Sequence, residues 1–263
     1  MSEGFFYLKN FLKLVKFFNK FKRKEVGKNK MKKYNLPRHL AIIPDGNRRW
    51  ARKHSLKPWE GYYQGTKTFE KIYRKIVSLG IPYTTFWIAS LDNLTKRPKE
   101  EIHFLLDVFA KNFPKLAKAD FIHRHQIRVE AIGRWREMLP KNVVEAVEMP
   151  LKATKKYQKF FLTFLMAYNG DDELLSAVKE IAEKRKKRIN WQVLRNSLWT
   201  KNLPPVDLLI RTGGEPHLSA YFLSCHIGYA QMSFPEVYFP DFTPKEFMKV
   251  IDEYSKKERR FGK

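Results

Sequence analysis

Five short apolar runs, rich in β-branched and aromatic residues, recur along the chain: HLAIIP (39–44), YTTFWIAS (83–90), IRVEAIG (127–133), KFFLTFLMAY (159–168) and VDLLIR (206–211). Each is long enough for a buried strand and too short for a helix. Helix-period segments lie between them at about 64–79, 98–119, 140–157, 171–188 and 190–199, and TPKEFMKVIDEYSKKERRF closes the chain. Their starts carry capping signals: Arg-Pro-Lys-Glu-Glu at 97–101, Asp171 ahead of Glu173, and Thr243-Pro244 ahead of Glu246. Strands that alternate with helices are joined by right-handed crossovers, so the expected fold is α/β: a mainly parallel sheet with helices on both faces. There is no internal repeat, and one domain over 37–263 with an N-terminal appendage, 1–36, is the economical organisation.

With 263 residues, 43% of them hydrophobic and 15% aromatic, the chain can bury a sizeable core. Its charge is unusual: 52 Lys+Arg against 27 Asp+Glu gives +25, which attracts polyanions of some kind. Residues 1–33 hold 11 of the basic residues and 2 acids. Within them Phe5, Leu8, Phe11, Leu12, Val15, Phe18 and Phe21 recur near helical spacing with lysines between, a basic amphipathic helix. Lysines interrupt this stretch too often for a signal peptide, and the chain has no run of about 20 mostly apolar residues to span a bilayer. An in-plane helix over residues 5–24 on an anionic membrane surface fits, with GKNKMKKYN (27–35) as linker. The single cysteine, Cys225, excludes intrachain disulfides and cysteine-rich zinc sites. A cytoplasmic protein held peripherally at the membrane is the expectation.

In parallel α/β sheets ligands bind at the carboxyl ends of the strands. Two such ends carry glycine, arginine and carboxylate together: AIIPDGNRRW at 41–50 and DLLIRTGGEPHLS at 207–219. Turn preference alone accounts for Asp-Gly-Asn, but not for the same chemistry at a second strand end. Glycines admit phosphate oxygens to backbone N–H groups, and arginines grip phosphate in a bidentate way. A carboxylate among them suits Mg²⁺, which takes one or two carboxylates together with substrate phosphates, and Asp45 is the candidate. Neither G-x-x-x-x-G-K-[ST] nor G-x-G-x-x-G occurs, and DDELL (171–175) matches D-D-x-x-D only superficially.

HLAIIPDGNRRWARK, GIPYTTFWIASLDNLTKRPKEE, DLLIRTGGEPHLSAYFL and YFPDFTPKEF…ERRFGK resemble, in order and spacing, the cis-prenyltransferase family, also called undecaprenyl or polyprenyl diphosphate synthases. The similarity spans about residues 37–263. It implies a mostly parallel six-stranded sheet with surrounding helices, a homodimer, and an apolar tunnel near 98–119. It also implies Mg²⁺-dependent condensation of isopentenyl diphosphate onto an allylic diphosphate with cis geometry, giving a polyprenyl diphosphate lipid carrier. By the same resemblance Asp45 binds Mg²⁺ and assists departure of the allylic diphosphate. Gly46, Asn47, Arg48 and Arg49 hold its phosphates, with Trp50 beside them. Ser90 and Asn93 match Ser-x-x-Asn, whose asparagine assists proton removal. Arg97 matches an arginine that follows that motif and binds substrate, Arg211 and Ser219 match the isopentenyl diphosphate pocket, and Arg259-Arg260-Phe261-Gly262 resembles a tail reaching the partner subunit.

The chain departs from the family pattern in one region of function. Tyr62 follows Gly61 where histidine is usual, and Pro58 stands where an arginine is usual, with Lys57 beside it. His217 replaces an arginine, Leu94 an aromatic residue, and one extra residue precedes Arg97. Gln231, within YAQMSF, takes the place of a second metal-associated glutamate and offers a carbonyl without charge. These changes keep open a poorly active partner subunit of a prenyltransferase complex beside the enzyme itself. A basic nucleic-acid-binding protein is disfavoured, because the densest charge lies on a phenylalanine-rich amphipathic segment and no nucleic-acid motif occurs.

Overall fold

Residues 34–185 and 188–257 are described by a computed structural model. The amphipathic segment 5–24 and the closing Arg259–Gly262 therefore lie outside the described residues.

The five expected strands form: β1 (His39–Ile43), β2 (Tyr83–Ala89), β3 (Ile127–Ile132), β4 (Phe160–Met166) and β5 (Leu208–Arg211). A sixth, β6 (Gln231–Ser233), has three residues and no apolar run, because it is an edge strand buried on neither face; periodicity alone does not reveal it. The sheet order is β3-β4-β2-β1-β5-β6 and every pairing is parallel. Side chains alternate between the two faces. Leu40 and Ile42 join a large core with Phe86, Phe164 and Ile210, while Ala41 and Ile43 join a smaller one with Trp87, Leu165 and Leu209.

The chain leaves β1 toward β2 but later enters β5 on β1's other side. Connections thus diverge above β1 and β5, which opens a crevice at their carboxyl ends. Register places Ile43 against Arg211 there.

The helices are α1 (Asn47–Lys53), α2 (Glu60–Ser78), α3 (Leu91–Thr95), α4 (Lys99–Lys118), α5 (Asp120–Arg124), α6 (Trp135–Met138), α7 (Lys141–Thr154), α8 (Gly170–Glu183), α9 (Trp191–Ser197) and α10 (Pro244–Lys256). Thr243 caps α10 as its sequence suggests, accepting from Glu246 N at 3.2 Å. Asp171 does not cap α8; Asn169 takes that position and its Oδ1 instead accepts from Leu91 N at 3.1 Å, tying the end of β4 to the start of α3. α8 stops at Glu183 rather than running to 188, because KRKKR stacks like charges and Arg185 adopts a left-handed φ of 48°.

Between α2, α4 and the sheet the interior is aromatic. Phe69 meets Phe86 edge-on at 4.9 Å, and Phe164 lies 5.6 Å from Phe69 and 5.1 Å from Phe113. This is where the family's tunnel is expected. At the opposite edge β3 is protected from further pairing: Thr154 Oγ1 accepts from Val129 N at 2.9 Å, and Trp135 Nε1 donates to Ala131 O at 3.1 Å.

Two histidines are buried beside β1 and β5. His39 Nδ1 lies 2.8 Å from Pro204 O, which only accepts, so Nδ1 carries the proton and Nε2 accepts from Thr85 Oγ1 at 2.9 Å. Burial holds His39 and His226 down from 6.5 to about 4. The unfolded chain therefore takes up these protons first, so their stabilisation is full above about pH 6.5 and is lost as pH falls toward 4. Denaturant midpoints measured across that range should decline with acidification, and His39→Gln should flatten the decline.

Candidate active site

Asp45 follows β1 directly, and backbone hydrogen bonds fix it. Its N–H donates to Thr212 Oγ1 at 3.0 Å, while its carbonyl accepts from Thr212 Oγ1 at 2.8 Å and Phe239 N at 2.9 Å. Its carboxylate meets β5's last residue: Arg211 donates from Nη2 at 2.8 Å and Nε at 3.2 Å to Oδ2. Gly46 N donates to Oδ1 at 2.5 Å. Gly46 has φ 97°, and a Cβ there would lie 2.6 Å from Tyr238 Cδ1, so both the turn and its packing require glycine. Burial by itself pushes the Asp45 carboxyl upward, but the Arg211 fork, the Gly46 N–H and the Arg49 charge outweigh it and hold the group below its ordinary value.

Arg211 is 7% exposed and uses four of its five N–H groups, since Nη1 also donates to His217 O at 2.7 Å and Ser219 Oγ at 3.2 Å. The structure thus brings Asp45, Arg211 and Ser219 together. His217 contributes its backbone oxygen, while its exposed ring lies 3.9 Å from Glu215. Arg49 donates from Nη1 to Glu215 Oε1 at 2.7 Å, stands 3.5 Å from Asp45 Oδ2 and covers the Tyr238 ring at 5.2 Å.

A second group gathers about Glu101 of α4, which is 4% exposed. Arg97 Nη1 lies 2.9 Å from its Oε1, Tyr62 Oη donates to the same oxygen at 2.6 Å, and Arg48 Nη1 is 3.7 Å from Oε2. Arg97 also donates to Tyr62 Oη. Burial raises the Tyr62 phenol well above its usual range, so it is a neutral donor. Adjacent arginines on α1 therefore face different carboxylates, Arg48 toward Glu101 and Arg49 toward Asp45 and Glu215. Sequence reading treats Glu101 only as a helix-start acid; its i,i+4 spacing from Arg97 is the available signal.

Ser90 caps α3 and forms a reciprocal capping box with Asn93: Asn93 N donates to Ser90 Oγ at 3.0 Å, and Ser90 N donates to Asn93 Oδ1 at 3.3 Å. Leu94 packs against the large core. Asn47 Nδ2 donates to Pro44 O at 2.8 Å. Its Oδ1, like Trp50 Nε1, is buried without a partner among the described residues, which leaves one acceptor and one donor beside the crevice. Lys57 places its ammonium over Trp59, 5.4 Å from the ring, rather than toward Asp45.

Gln231 does not join this site within one chain. It pairs with Leu208, the first residue of β5 and three residues before Arg211, at the end of the strand away from its tip, so the expected metal pairing of Asp45 with Gln231 is not made here. Among the described residues no group of three His, Cys, Asp or Glu could hold a metal. One half-buried carboxylate ringed by guanidiniums nevertheless fits Mg²⁺ held jointly with phosphate oxygens, the mode this ion favours.

The fold and site define a parallel α/β protein with a carboxylate and several guanidiniums gathered at its strand tips. Residues 43–262 match the family described as putative undecaprenyl diphosphate synthase. Over 240 residues the chain is 42% identical to a tritrans,polycis-undecaprenyl-diphosphate synthase (geranylgeranyl-diphosphate specific) of Pyrococcus horikoshii, covering 89% of this chain and 90% of that one. It is 36% identical over 231 residues to an isoprenyl transferase of Thermotoga maritima, covering 86% and 97%. Lavandulyl diphosphate synthase from Lavandula x intermedia, solved in complex with dimethylallyl diphosphate, superposes with a TM-score of 0.81 at 28% identity, covering 87% and 99%. The chain belongs to the cis-prenyltransferase family.

Asp45 is held ionised, so its stabilising contribution is present above its unfolded value near pH 4 and is lost as pH falls through its lower folded value. Urea midpoints recorded between about pH 5 and pH 2 should fall less steeply for Asp45→Asn than for the parent chain. Equal slopes would show that the Arg211 fork does not hold the carboxylate.

Proposed function

We propose that this chain condenses isopentenyl diphosphate onto an allylic diphosphate with cis geometry, repeatedly, to build a polyprenyl diphosphate. The observation that carries this reading is the Asp45–Arg211 fork at the β1 and β5 tips, flanked by Arg49 and Arg48. As the allylic C–O bond ionises, charge builds on the departing diphosphate, and guanidiniums already in place stabilise it without reorganising. Asp45 orients Arg49 among them and fixes Arg211 for the neighbouring isopentenyl diphosphate. Mg²⁺ bound between Asp45 and the diphosphate would add Lewis-acid neutralisation of the leaving group. The new bond joins the allylic carbon to the isopentenyl double bond, and the resulting cation is quenched by loss of a proton from the adjacent carbon. Arg211 and Ser219, joined by a hydrogen bond, hold the isopentenyl diphosphate with Arg97 beside it, and Asn93, locked by its capping box, orients that unit. The aromatic interior about Phe69, Phe86 and Phe164 excludes water from the cation and takes the chain.

The relatives named for geranylgeranyl diphosphate support that diphosphate as primer. A homodimer is supported by exposed side chains on β6 and just ahead of it, Met232 and Tyr229, and by exposed Tyr221, packed on the start of α8. The charge and periodicity of residues 5–24 support a cytoplasmic enzyme held at an anionic membrane surface.

Labelled isopentenyl diphosphate supplied with geranylgeranyl diphosphate and Mg²⁺ should enter a butanol-extractable lipid, and Asp45→Ala should lower kcat by about 10³-fold or more. Absence of product with geranylgeranyl, farnesyl and dimethylallyl primers would leave the partner-subunit reading, in which the chain stimulates a second synthase. Glu101→Gln weakens the countercharge of Arg97 and Arg48 while keeping an acceptor for Tyr62. Initial-rate kinetics should show KM for isopentenyl diphosphate rising several-fold with a smaller change in kcat.

A further inference from the structure

Among the described residues seven other than glycine adopt a positive φ, and three of them fall within four positions: Ala220 at 46°, Tyr221 at 52° and Leu223 at 45°. Each side chain there crowds its own backbone, so two such residues in succession persist only where the surroundings leave no alternative. Those surroundings are in place. Phe222 and Leu223 are wholly buried, and the Phe222 ring packs 5.1 Å from that of Trp87. Gly170 N donates to Ala220 O at 2.8 Å, and a Cβ on Gly170 would lie 1.8 Å from Tyr221 O, so the turn rests directly on the first residue of α8. Phe222 N donates to Ser219 O at 3.1 Å and Ser224 N to Tyr221 O at 3.0 Å, which closes the turn from within.

The turn begins one residue beyond Ser219. Because Ser219 Oγ accepts from Arg211 Nη1, its own O–H is left to donate elsewhere, and among the described residues it has no acceptor. One N–H on Arg211 Nη2 is likewise unspent, so a guanidinium and the hydroxyl bonded to it each keep a donor, the pair that a diphosphate oxygen accepts from. Reversing the sign of φ at 220 and 221 would redirect the chain on one side or the other, and Ser219 and Phe222 would not both keep these places. We propose that the left-handed turn Ala220–Leu223 is a positioning device for isopentenyl diphosphate: its strained backbone, held by Gly170 and Trp87, fixes Ser219 so that the free O–H meets a diphosphate oxygen. This rests on the pocket assigned under the proposed reaction. Ala220 and Gly170 are positioning residues, which act through Ser219 rather than on the substrate.

Isothermal titration calorimetry of the full-length protein with Mg²⁺ reads isopentenyl diphosphate and geranylgeranyl diphosphate separately. Asparagine tolerates the left-handed region, whereas β-branched valine, of comparable bulk, resists it. Ala220→Val should raise Kd for isopentenyl diphosphate about tenfold and leave that for geranylgeranyl diphosphate within about twofold, while Ala220→Asn should leave both within about twofold. Ser219→Ala should raise Kd for isopentenyl diphosphate by a similar factor. Adding Ala220→Val to it should do little more, since the turn then acts through a hydroxyl no longer present. If Ala220→Val does not fold, Phe222→Leu takes its place in the same cycle, because it loosens the contact with Trp87 and alters no left-handed position; a several-fold rise in Kd is expected. Equal Kd values for the valine and asparagine variants overturn the proposal, as does an unchanged Kd in Phe222→Leu. So does an effect of either variant that persists in full beside Ser219→Ala, or a parent chain that does not bind isopentenyl diphosphate. Binding is read without turnover: a parent chain that binds isopentenyl diphosphate yet makes no polyprenyl product refutes the proposed reaction and leaves this test intact.

Discussion

The ion pair between Asp45 and Arg211 organises the strand-tip site. β1 and β5 are neighbours whose register sets Ile43 against Arg211, so a carboxylate two residues beyond β1 meets a guanidinium at the end of β5. Burying such a pair costs desolvation on both sides, and it persists only where geometry and further hydrogen bonds compensate. Here they do: the fork is two-pronged, Gly46 N–H takes the other carboxylate oxygen, and His217 O and Ser219 Oγ take both Nη1 donors of the arginine. Removing either partner would strand a charge in a place built to exclude water.

Close backbone approach makes that geometry possible. A Cβ on Gly61 of α2 would lie 2.0 Å from Asn47 O, so α2 sits directly against the start of α1 and fixes where Arg48 and Arg49 emerge. Gly46 beneath Tyr238 does the same for the turn itself. Two glycines thereby convert sheet register into arginine placement, and the helix phase then divides Arg48 from Arg49 between separate carboxylates.

Much of this was legible in the sequence where one physical rule dominates. The long strands declare themselves because a parallel sheet buries both faces, giving unbroken apolar runs, and the strand-end rule locates Asp45 and Arg211 without coordinates. What was illegible depends on tertiary contact. β6 is a three-residue edge strand without an apolar run. Asn169, not Asp171, starts α8, and its side chain bonds Leu91 N instead of capping the helix. Glu101 looks like an ordinary first-turn acid until folding buries it between Arg97, Arg48 and Tyr62. Gln231 matches a family position by sequence, yet its ladder partner, Leu208, sets it well below the strand tips. Motif spacing carries no information about depth along a strand.

The ligand-free site is close to self-neutralised: Arg48, Arg49, Arg97 and Arg211 face Asp45, Glu101 and Glu215. These pairs differ in how readily they release an arginine. Arg49–Glu215 is a third or more exposed on both sides, the class worth about 0–1 kcal/mol, and Arg48 stands 3.7 Å from Glu101 with a largely exposed side chain. Arg211, by contrast, is 8% exposed at its side chain, with four of its five N–H groups engaged. Under the proposed reaction, an incoming diphosphate would recruit the outer guanidiniums at little cost while the inner fork stays intact. Glu215 and Glu101 act as placeholders that keep Arg49 and Arg48 poised, and the Asp45–Arg211 pair is the fixed frame on which they swing.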